Sequence, residues 1–195
     1  MQCVIFHFDV VSPYAYLAFE QLPEALAGIS HHVVYRPVLF AGLLKAWGHK
    51  GPVEIPAKRE WTYRQIDWLA RQAGVPLQLP TPHPFNPLPL LRLTLACDAA
   101  GRMPNRRVVE AVMRHAWRGQ GADPNEPDRL AALTAELQPV RDPKADDVKA
   151  ELRALTDAAI AQGLFGVPSF EAGGRLYWGL DALPMLRQDL LAKAG

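Results

Sequence analysis

The chain has 195 residues, 49% of them hydrophobic, and its formal net charge is +1 from 21 basic and 20 acidic side chains. This size suits one domain with an insertion or two small domains, and the balanced charge argues against a nucleic-acid-binding protein. No apolar run reaches the ~18 residues of a membrane span, and the N-terminus lacks a secretory pattern, so we expect a cytoplasmic protein with no membrane association.

The chain opens with a strand, a helix and a second strand. "CVIFHF" predicts the first strand, and a helix follows from Pro13, a residue suited to the first helical position, to about Leu26. "HHVVYRPVLF" predicts the second strand, because it is rich in β-branched and aromatic residues.

No strand is predicted from about residue 39 to residue 163, where five helices are expected. The first lies between Pro56 and Gly74, two residue types that punctuate helices; the others lie in "PLPLLRLTLACDAAG", "RRVVEAVMRHAWRG", "PDRLAALTAEL" and the segment from Val148 to Gly163. The proline-rich stretch 76–89 predicts an ordered irregular loop. We interpret Trp47, Trp61 and Trp68 as core residues of this helical block.

The end of the chain returns to strands. "PSFEAGGRLYWG" predicts a hairpin that turns at "AGG", and "DALPMLRQDLLAKAG" predicts a last helix with Asp181 as its N-cap. Two chain ends of the form β-α-β and β-β-α can build one sheet, as in the thioredoxin fold. We therefore predict an α/β chain with a thioredoxin-like domain at 1–38 plus 160–195 and an inserted all-α domain at 39–159.

The two cysteines, Cys3 and Cys97, are isolated in the sequence. They form neither a C-x-x-C pair nor a metal-ligand spacing, and we interpret them as buried thiols of a cytosolic protein. The histidines His31, His32 and His115 are interpreted as structural, so no metal site is expected.

Ser12 follows the first strand and precedes Pro13 in "FDVVSPYAYLAFEQL". Either it only caps the helix, a contribution of ~1 kcal/mol, or its hydroxyl faces a reactive group of a ligand. Oriented N–H groups at a helix N-terminus lower the pKa of a thiol, and a hydroxyl that donates to the thiolate lowers it further.

Four segments in this order carry a resemblance that covers nearly the whole chain: "FDVVSPYAYLA", "GHKGP" with the lysine of "PAKRE", "HPFNPLPLLR", and "GLFGVPSFEAGGRLYWGLD". With them the chain resembles the 2-hydroxychromene-2-carboxylate isomerases and the related kappa-class glutathione transferases, in the DsbA-like branch of the thioredoxin superfamily. The resemblance implies a DsbA/kappa-type thioredoxin domain with an inserted all-α domain, glutathione as cofactor, and a homodimer.

The resemblance also implies roles for residues at both ends of the chain. Ser12 takes the place of the attacking cysteine of redox relatives, and as the catalytic residue it would bind the glutathione sulfur. Pro168 is expected in a cis bond that turns the backbone of Val167 to the pocket; the alternative is that Pro168 only starts an edge strand. The γ-glutamyl end of glutathione would be held by the turn formed by Trp178, Gly179, Leu180 and Asp181.

One position in this turn and one just after it depart from the family pattern. The family often has a polar residue at the position of Leu180 and an arginine at that of Ala182, and neither is present. Leu180 can still offer its backbone N–H. For Asp181 the alternative role is a helix cap alone.

Several cations are implied as contacts for carboxylates. Lys58 corresponds to a lysine that contacts glutathione or substrate, and a cation at a helix start opposes the dipole, which favours a ligand role. His49 takes a place often held by asparagine, and either can donate a hydrogen bond. Lys45 and Lys50 flank His49 and complete a cationic loop suited to a carboxylate substrate; the alternative for each is a solvated charge.

"HPFNPLPLLR" offers two more candidates for substrate contact, His83 and Asn86. Phe40 or Trp47 are candidates to line an aromatic substrate pocket.

The activity implied by the resemblance is a glutathione-dependent isomerisation of 2-hydroxychromene-2-carboxylate or a similar aromatic-pathway compound, by reversible addition of a thiolate. The alternatives are a kappa-like glutathione transferase or peroxidase, and a non-catalytic glutathione-binding protein. A thiol-disulfide oxidoreductase is disfavoured, because the nucleophile position is serine and no cysteine lies within three residues of it.

Overall fold

Strands from the two ends of the chain form one mixed sheet in the computed structural model, which describes residues 1–192. They are β1 (Gln2–Phe8), β2 (His31–Pro37), β3 (Ser169–Ala172) and β4 (Arg175–Trp178), in the order β2-β1-β3-β4. β1 pairs parallel with β2 and antiparallel with β3, and β3 pairs antiparallel with β4. The predicted thioredoxin-like α/β fold is thereby confirmed.

Helices occupy most of the chain between β1 and the hairpin. α1 (Pro13–Ala25) joins β1 to β2, and the helices that follow β2 are α2 (Phe40–Ala46), α3 (Pro56–Gln72), α4 (Leu88–Ala96), α5 (Arg106–Trp117), α6 (Pro127–Leu137) and α7 (Asp146–Ala161). α8 (Leu183–Ala192) comes after the sheet, and the predicted remainder of this helix, 193–195, lies outside the described residues. Among residues 1–192, no helix combines the length and apolarity needed to cross a membrane.

Two local predictions were wrong, and one alternative that the sequence left open is excluded. The second strand ends at Pro37 and not at Phe40, which begins α2, because the Asp9 carboxylate accepts from the N–H of Phe40 and ends the strand. Pro168 does not start an edge strand, since β3 lies between β1 and β4. Asp181 is not the N-cap of α8, because a 3₁₀ turn precedes that helix.

One connected cluster of buried side chains joins the sheet to the helices. Phe6 of β1 stacks on Phe8 and on Phe170 of β3, at centroid distances of 5.6 and 5.1 Å. The apolar face of α5 faces this cluster, with these residues buried: Val109, Val112, Met113, Ala116 and Trp117. The helical spacing of the first four predicts this face. Because the cluster includes both sheet and insert residues, the predicted boundaries at 39 and 160 stay predictions.

The three tryptophans predicted to be core residues are exposed, and that prediction was wrong. Trp47, Trp61 and Trp68 are 47%, 55% and 54% exposed. In α3 the buried face carries the smaller side chains of Thr62, Ile66 and Ala70, and an Arg64 guanidinium lies 4.8 Å from the centre of the Trp61 ring.

The two cysteines are not the isolated buried thiols that we predicted. Cys3 is exposed on β1, and Cys97 is only partly buried. The Cys97 thiol donates to the carbonyl of Leu93, and burial raises the pKa of this thiol to about 11. Cys97 is therefore protonated at neutral pH and is a poor nucleophile.

Candidate active site

Ser12 is the N-cap of α1, and its hydroxyl also bonds outside the helix. As the N-cap of α1 its hydroxyl oxygen accepts from the N–H of Ala15 at 3.2 Å. The same hydroxyl donates to the carbonyl of Val167 at 3.4 Å, and the residue is only 6% exposed. The hydroxyl proton is therefore directed away from the helix, towards the segment that precedes β3.

This segment approaches Ser12 through the peptide bond between Val167 and Pro168, which is cis as expected. The carbonyl of Pro168 accepts from the N–H of Gly179 at 2.9 Å, which places the turn after β4 beside the Ser12 side of the sheet. The indole of Trp178 lies against Gly166, where an added Cβ would come within 2.5 Å of Nε1. Only glycine allows this approach.

The turn after β4 faces the beginning of α1. Asp181 is exposed, and its carboxylate folds back against Gly179, whose φ of +98° favours glycine. Burial raises the pKa of Tyr14, and the negative charge of Asp181 raises it further. The Tyr14 hydroxyl donates to Gln65 of α3 at 2.7 Å. Asp181, the start of α1 and α3 therefore surround one region.

The predicted cations lie on two neighbouring stretches. Lys45, His49 and Lys50 are exposed at the end of α2 and just after it, and Lys58 is exposed in the first turn of α3. None of the ion pairs formed within residues 1–192 involves these three lysines. Their charges are thus available to an anionic ligand.

Trp47 ties the loop after α2 to the segment that carries Val167. Its indole N–H donates to the carbonyl of Leu164 at 2.8 Å. Phe165, which is 45% exposed, packs against Trp178 at a centroid distance of 4.9 Å. Trp47 and Trp178 thus contact the segment 164–166, which directly precedes Val167, and together with Phe165 they expose aromatic surface there. Sequence reasoning missed Phe165.

His83 and Asn86, the two predicted substrate contacts, differ in burial: His83 is partly buried and Asn86 is exposed. His83 Nε2 lies 2.9 Å from the carbonyl oxygen of Val11, and its Nδ1 lies 2.9 Å from the hydroxyl of Tyr63. Both ring nitrogens therefore bond within the protein. Asn86 is exposed, and its side-chain oxygen accepts from the N–H of Leu88 at the start of α4.

Asp9 is a further site-adjacent residue that the sequence analysis missed. Its fully buried carboxylate accepts from the N–H of Val11 at 3.0 Å and of Phe40 at 2.8 Å. Burial raises the pKa of this carboxyl to about 7, although the two N–H donors act in the opposite direction. Asp9 joins the Ser12 loop to α2. The sequence signal that could have identified Asp9 is an acidic residue directly after an apolar strand.

The donors and charges at this place suit glutathione. The Ser12 hydroxyl at the N-terminus of α1 suits a thiolate, and the exposed Asp181 carboxylate in the turn after β4 suits an ammonium group. The lysines suit carboxylates, and no hydrogen bond or ion pair among the residues that the structure describes joins them to Ser12 or to Asp181. Within the described part of the chain, no group of His, Cys, Asp or Glu side chains could hold a metal ion.

Comparison with known proteins gives consistent results. The sequence model of a family described as "DSBA-like thioredoxin domain" matches residues 3–191. A 2-hydroxychromene-2-carboxylate isomerase of Sphingobium xenophagum is 26% identical over 193 residues, 95% of this chain and 96% of the relative. A kappa-class glutathione transferase of Caenorhabditis elegans is 27% identical over 210 residues, 97% of this chain and 92% of the relative.

A solved 2-hydroxychromene-2-carboxylate isomerase has a similar fold. It superposes with a TM-score of 0.85 at 23% identity, over 98% of this chain and 96% of that chain. The resemblance that the four sequence segments indicated is confirmed.

Proposed function

Because the chain belongs to the DSBA-like thioredoxin domain family, we propose that it is a glutathione-dependent isomerase of 2-hydroxychromene-2-carboxylate or a similar aromatic carboxylate. The observation that carries the proposal is the Ser12 hydroxyl, which lies at the N-terminus of α1 and donates towards Val167. A serine at this position suits the stabilisation of a thiolate that a cofactor supplies. It is less suited to nucleophilic attack on the substrate by the protein's own side chain. The isomerase relative, similar over nearly its whole length, supports the reaction type.

The chain's own residues would bind and activate the cofactor. Bound glutathione would supply a thiolate that adds reversibly to a conjugated double bond and so permits rotation about it. Ser12 would turn its hydroxyl proton from the Val167 carbonyl to the sulfur, and the N–H groups of the first turn of α1 would favour the thiolate. The backbone of Val167 would pair with the cysteinyl part as a strand edge does.

The ends of glutathione and the substrate would be held by charge. Asp181 would pair with the γ-glutamyl ammonium group, within the turn that we assign to this end: Trp178, Gly179, Leu180 and Asp181. Lys58 and His49 would bind a glutathione carboxylate, and Lys45 would bind the carboxylate of the substrate, with Asn86 as a further substrate contact. A homodimer and a cytoplasmic location, implied by the resemblance, are part of this proposal.

The test is whether glutathione is required but not consumed. We expect turnover of 2-hydroxychromene-2-carboxylate at glutathione concentrations far below those of the substrate, with total free thiol constant over many turnovers. Stoichiometric loss of thiol with a stable conjugate would instead favour a transferase of the kappa type, whose relative is equally similar. Binding of glutathione without turnover would identify a non-catalytic binder, and turnover without glutathione would contradict the proposal.

Replacing Asp181 by alanine should weaken glutathione binding more than it slows the reaction. Asp181 would contact an end of glutathione remote from the sulfur, so its loss removes binding shared by the ground and transition states. We expect the KM for glutathione to rise roughly tenfold, equivalent to ~1.4 kcal/mol, at nearly constant kcat. Asp189→Ala, on α8, is a control for loss of a nearby carboxylate. An unchanged KM in Asp181→Ala would remove Asp181 from the site.

A further inference from the structure

The peptide unit that precedes Ser12 is held at both of its polar ends. The N–H of Ser12 donates to the carbonyl of Asp9 at 3.1 Å, and the carbonyl of Val11 lies 2.9 Å from His83 Nε2. The preceding carbonyl, that of Val10, accepts from the indole of Trp117 at 2.9 Å. Side chains of the helical insert therefore hold two consecutive carbonyls directly before Ser12.

The bond to Val11 determines which nitrogen of His83 carries the proton. A carbonyl oxygen can only accept, so Nε2 must be the protonated nitrogen. In neutral imidazole Nδ1 is then an acceptor. The Tyr63 hydroxyl lies 2.9 Å from Nδ1 and 3.1 Å from the backbone carbonyl oxygen of His83, so its one proton is shared between these two acceptors. Burial lowers the pKa of His83, which favours the neutral ring.

The surroundings of His83 hold the ring in place. Tyr63, Phe85 and Trp117 each meet it edge to face, at centroid distances of 5.5, 6.2 and 5.4 Å. With three aromatic rings around it and bonds at both nitrogens, the imidazole has one orientation and one tautomer. The Tyr63 hydroxyl adds to the preference set by Val11, because in the other tautomer Nε2 would direct a lone pair at the Val11 carbonyl and Nδ1 could not accept from Tyr63.

We propose that His83 and Tyr63 are positioning residues for Ser12: the Val11 carbonyl and the Tyr63 hydroxyl together hold the Nε2–H tautomer of His83, and this tautomer fixes the Val11–Ser12 peptide that carries the Ser12 side chain. This inference rests on the proposed function for its consequence in catalysis. In this proposal His83 acts on Ser12 through the Val11 carbonyl. This positioning role takes the place of the substrate contact that the sequence suggested for His83.

Two measurements without glutathione test the positioning itself. In protein labelled with ¹⁵N, we expect the His83 ring to show the pattern of the neutral Nε2–H tautomer, and Tyr63→Phe to shift it towards a mixture of tautomers. The amide resonance of Ser12 should move in Tyr63→Phe and stay in Tyr177→Phe, which removes a hydroxyl that donates to Asp189 at 2.7 Å. An Nδ1–H tautomer in the wild type, or an unmoved Ser12 amide, would overturn the proposal.

The catalytic consequence is a loss of rate at constant binding. Tyr63→Phe should lower kcat about tenfold, as expected for one misdirected hydrogen bond, and raise the thiol pKa of bound glutathione, with its KM unchanged. His83→Gln should retain more activity than His83→Leu, because an amide can still donate to Val11.

A matched histidine provides the control. His115 is also partly buried, with Nε2 2.8 Å from the carbonyl of Pro124, so His115→Leu removes a comparable bond away from Ser12 and should leave kcat unchanged. Equal losses in His83→Leu and His115→Leu would mean a general structural effect and refute the positioning role. No thiolate signal in the wild type would refute the proposed function alone, since the resonance measurements need no glutathione.

Discussion

Replacing Ser12 by alanine should lower kcat roughly ten- to a hundredfold, because a hydrogen bond to an ionised group contributes ~1.5–3 kcal/mol. The residue is only 6% exposed, and its hydroxyl is directed towards Val167. The thiolate absorbance of bound glutathione should fall in parallel at neutral pH, because the thiol pKa rises when the donor is lost. Steady-state kinetics and ultraviolet difference spectra measure the two effects.

The loss of a helix cap must be separated from the loss of the donor. Asn105 caps α5 in the same manner, with its side-chain oxygen accepting from the N–H of Val108 at 3.1 Å. Asn105→Ala should therefore cost a similar ~1 kcal/mol of stability and leave kcat unchanged. If Ser12→Ala keeps full kcat and thiolate absorbance, Ser12 is a cap only.

Replacing Trp117 by alanine should lower the free energy of unfolding by ~3–5 kcal/mol, the usual cost of removing a buried aromatic side chain. Trp117 is fully buried, stacks on Tyr16 at a centroid distance of 6.1 Å, and donates to the carbonyl of Val10. The change opens a cavity and also leaves that carbonyl without its donor. Denaturant unfolding followed by circular dichroism measures the loss.

Trp61 provides the matched comparison. It is 55% exposed, so Trp61→Ala should change the unfolding free energy by no more than ~0.5–1 kcal/mol. Trp117→Phe should lie between the two alanine variants, because the ring volume is largely kept and the indole N–H is lost. Equal effects at Trp117 and Trp61 would be incompatible with the packing described for α5.

Local patterns predicted most of the elements. The apolar spacing of α5 and the glycines of the hairpin are properties of a few neighbouring residues, and the structure confirms both. α2 was missed because its start depends on bonds from distant parts of the chain. Asp9 accepts from the N–H of Phe40, and Thr156 accepts from that of Leu39. An apolar "PVLF" gives no sign of either partner.

In the candidate site, too, the features carried by short motifs were predicted and those that depend on distant residues were not. Ser12, Val167 and Pro168 were predicted from motifs, and the structure brings Ser12 and Val167 into hydrogen-bond contact. The aromatic residue that bonds to the Ser12 loop was not recognised, because Trp117 occurs in a helix where a large ring usually indicates core. Trp117 and Val10 are 107 positions apart, and sequence spacing alone cannot predict such a contact.

The arrangement of β1 between β2 and β3 has a consequence for biosynthesis. During translation β1 can pair with β2 early, but its other edge waits for β3, since Phe6 pairs with Phe170. At ~5–20 residues per second, this interval lasts on the order of ten seconds or more. An apolar strand with an open edge can pair with other chains, so until the hairpin emerges the nascent chain exposes one edge of β1 to aggregation.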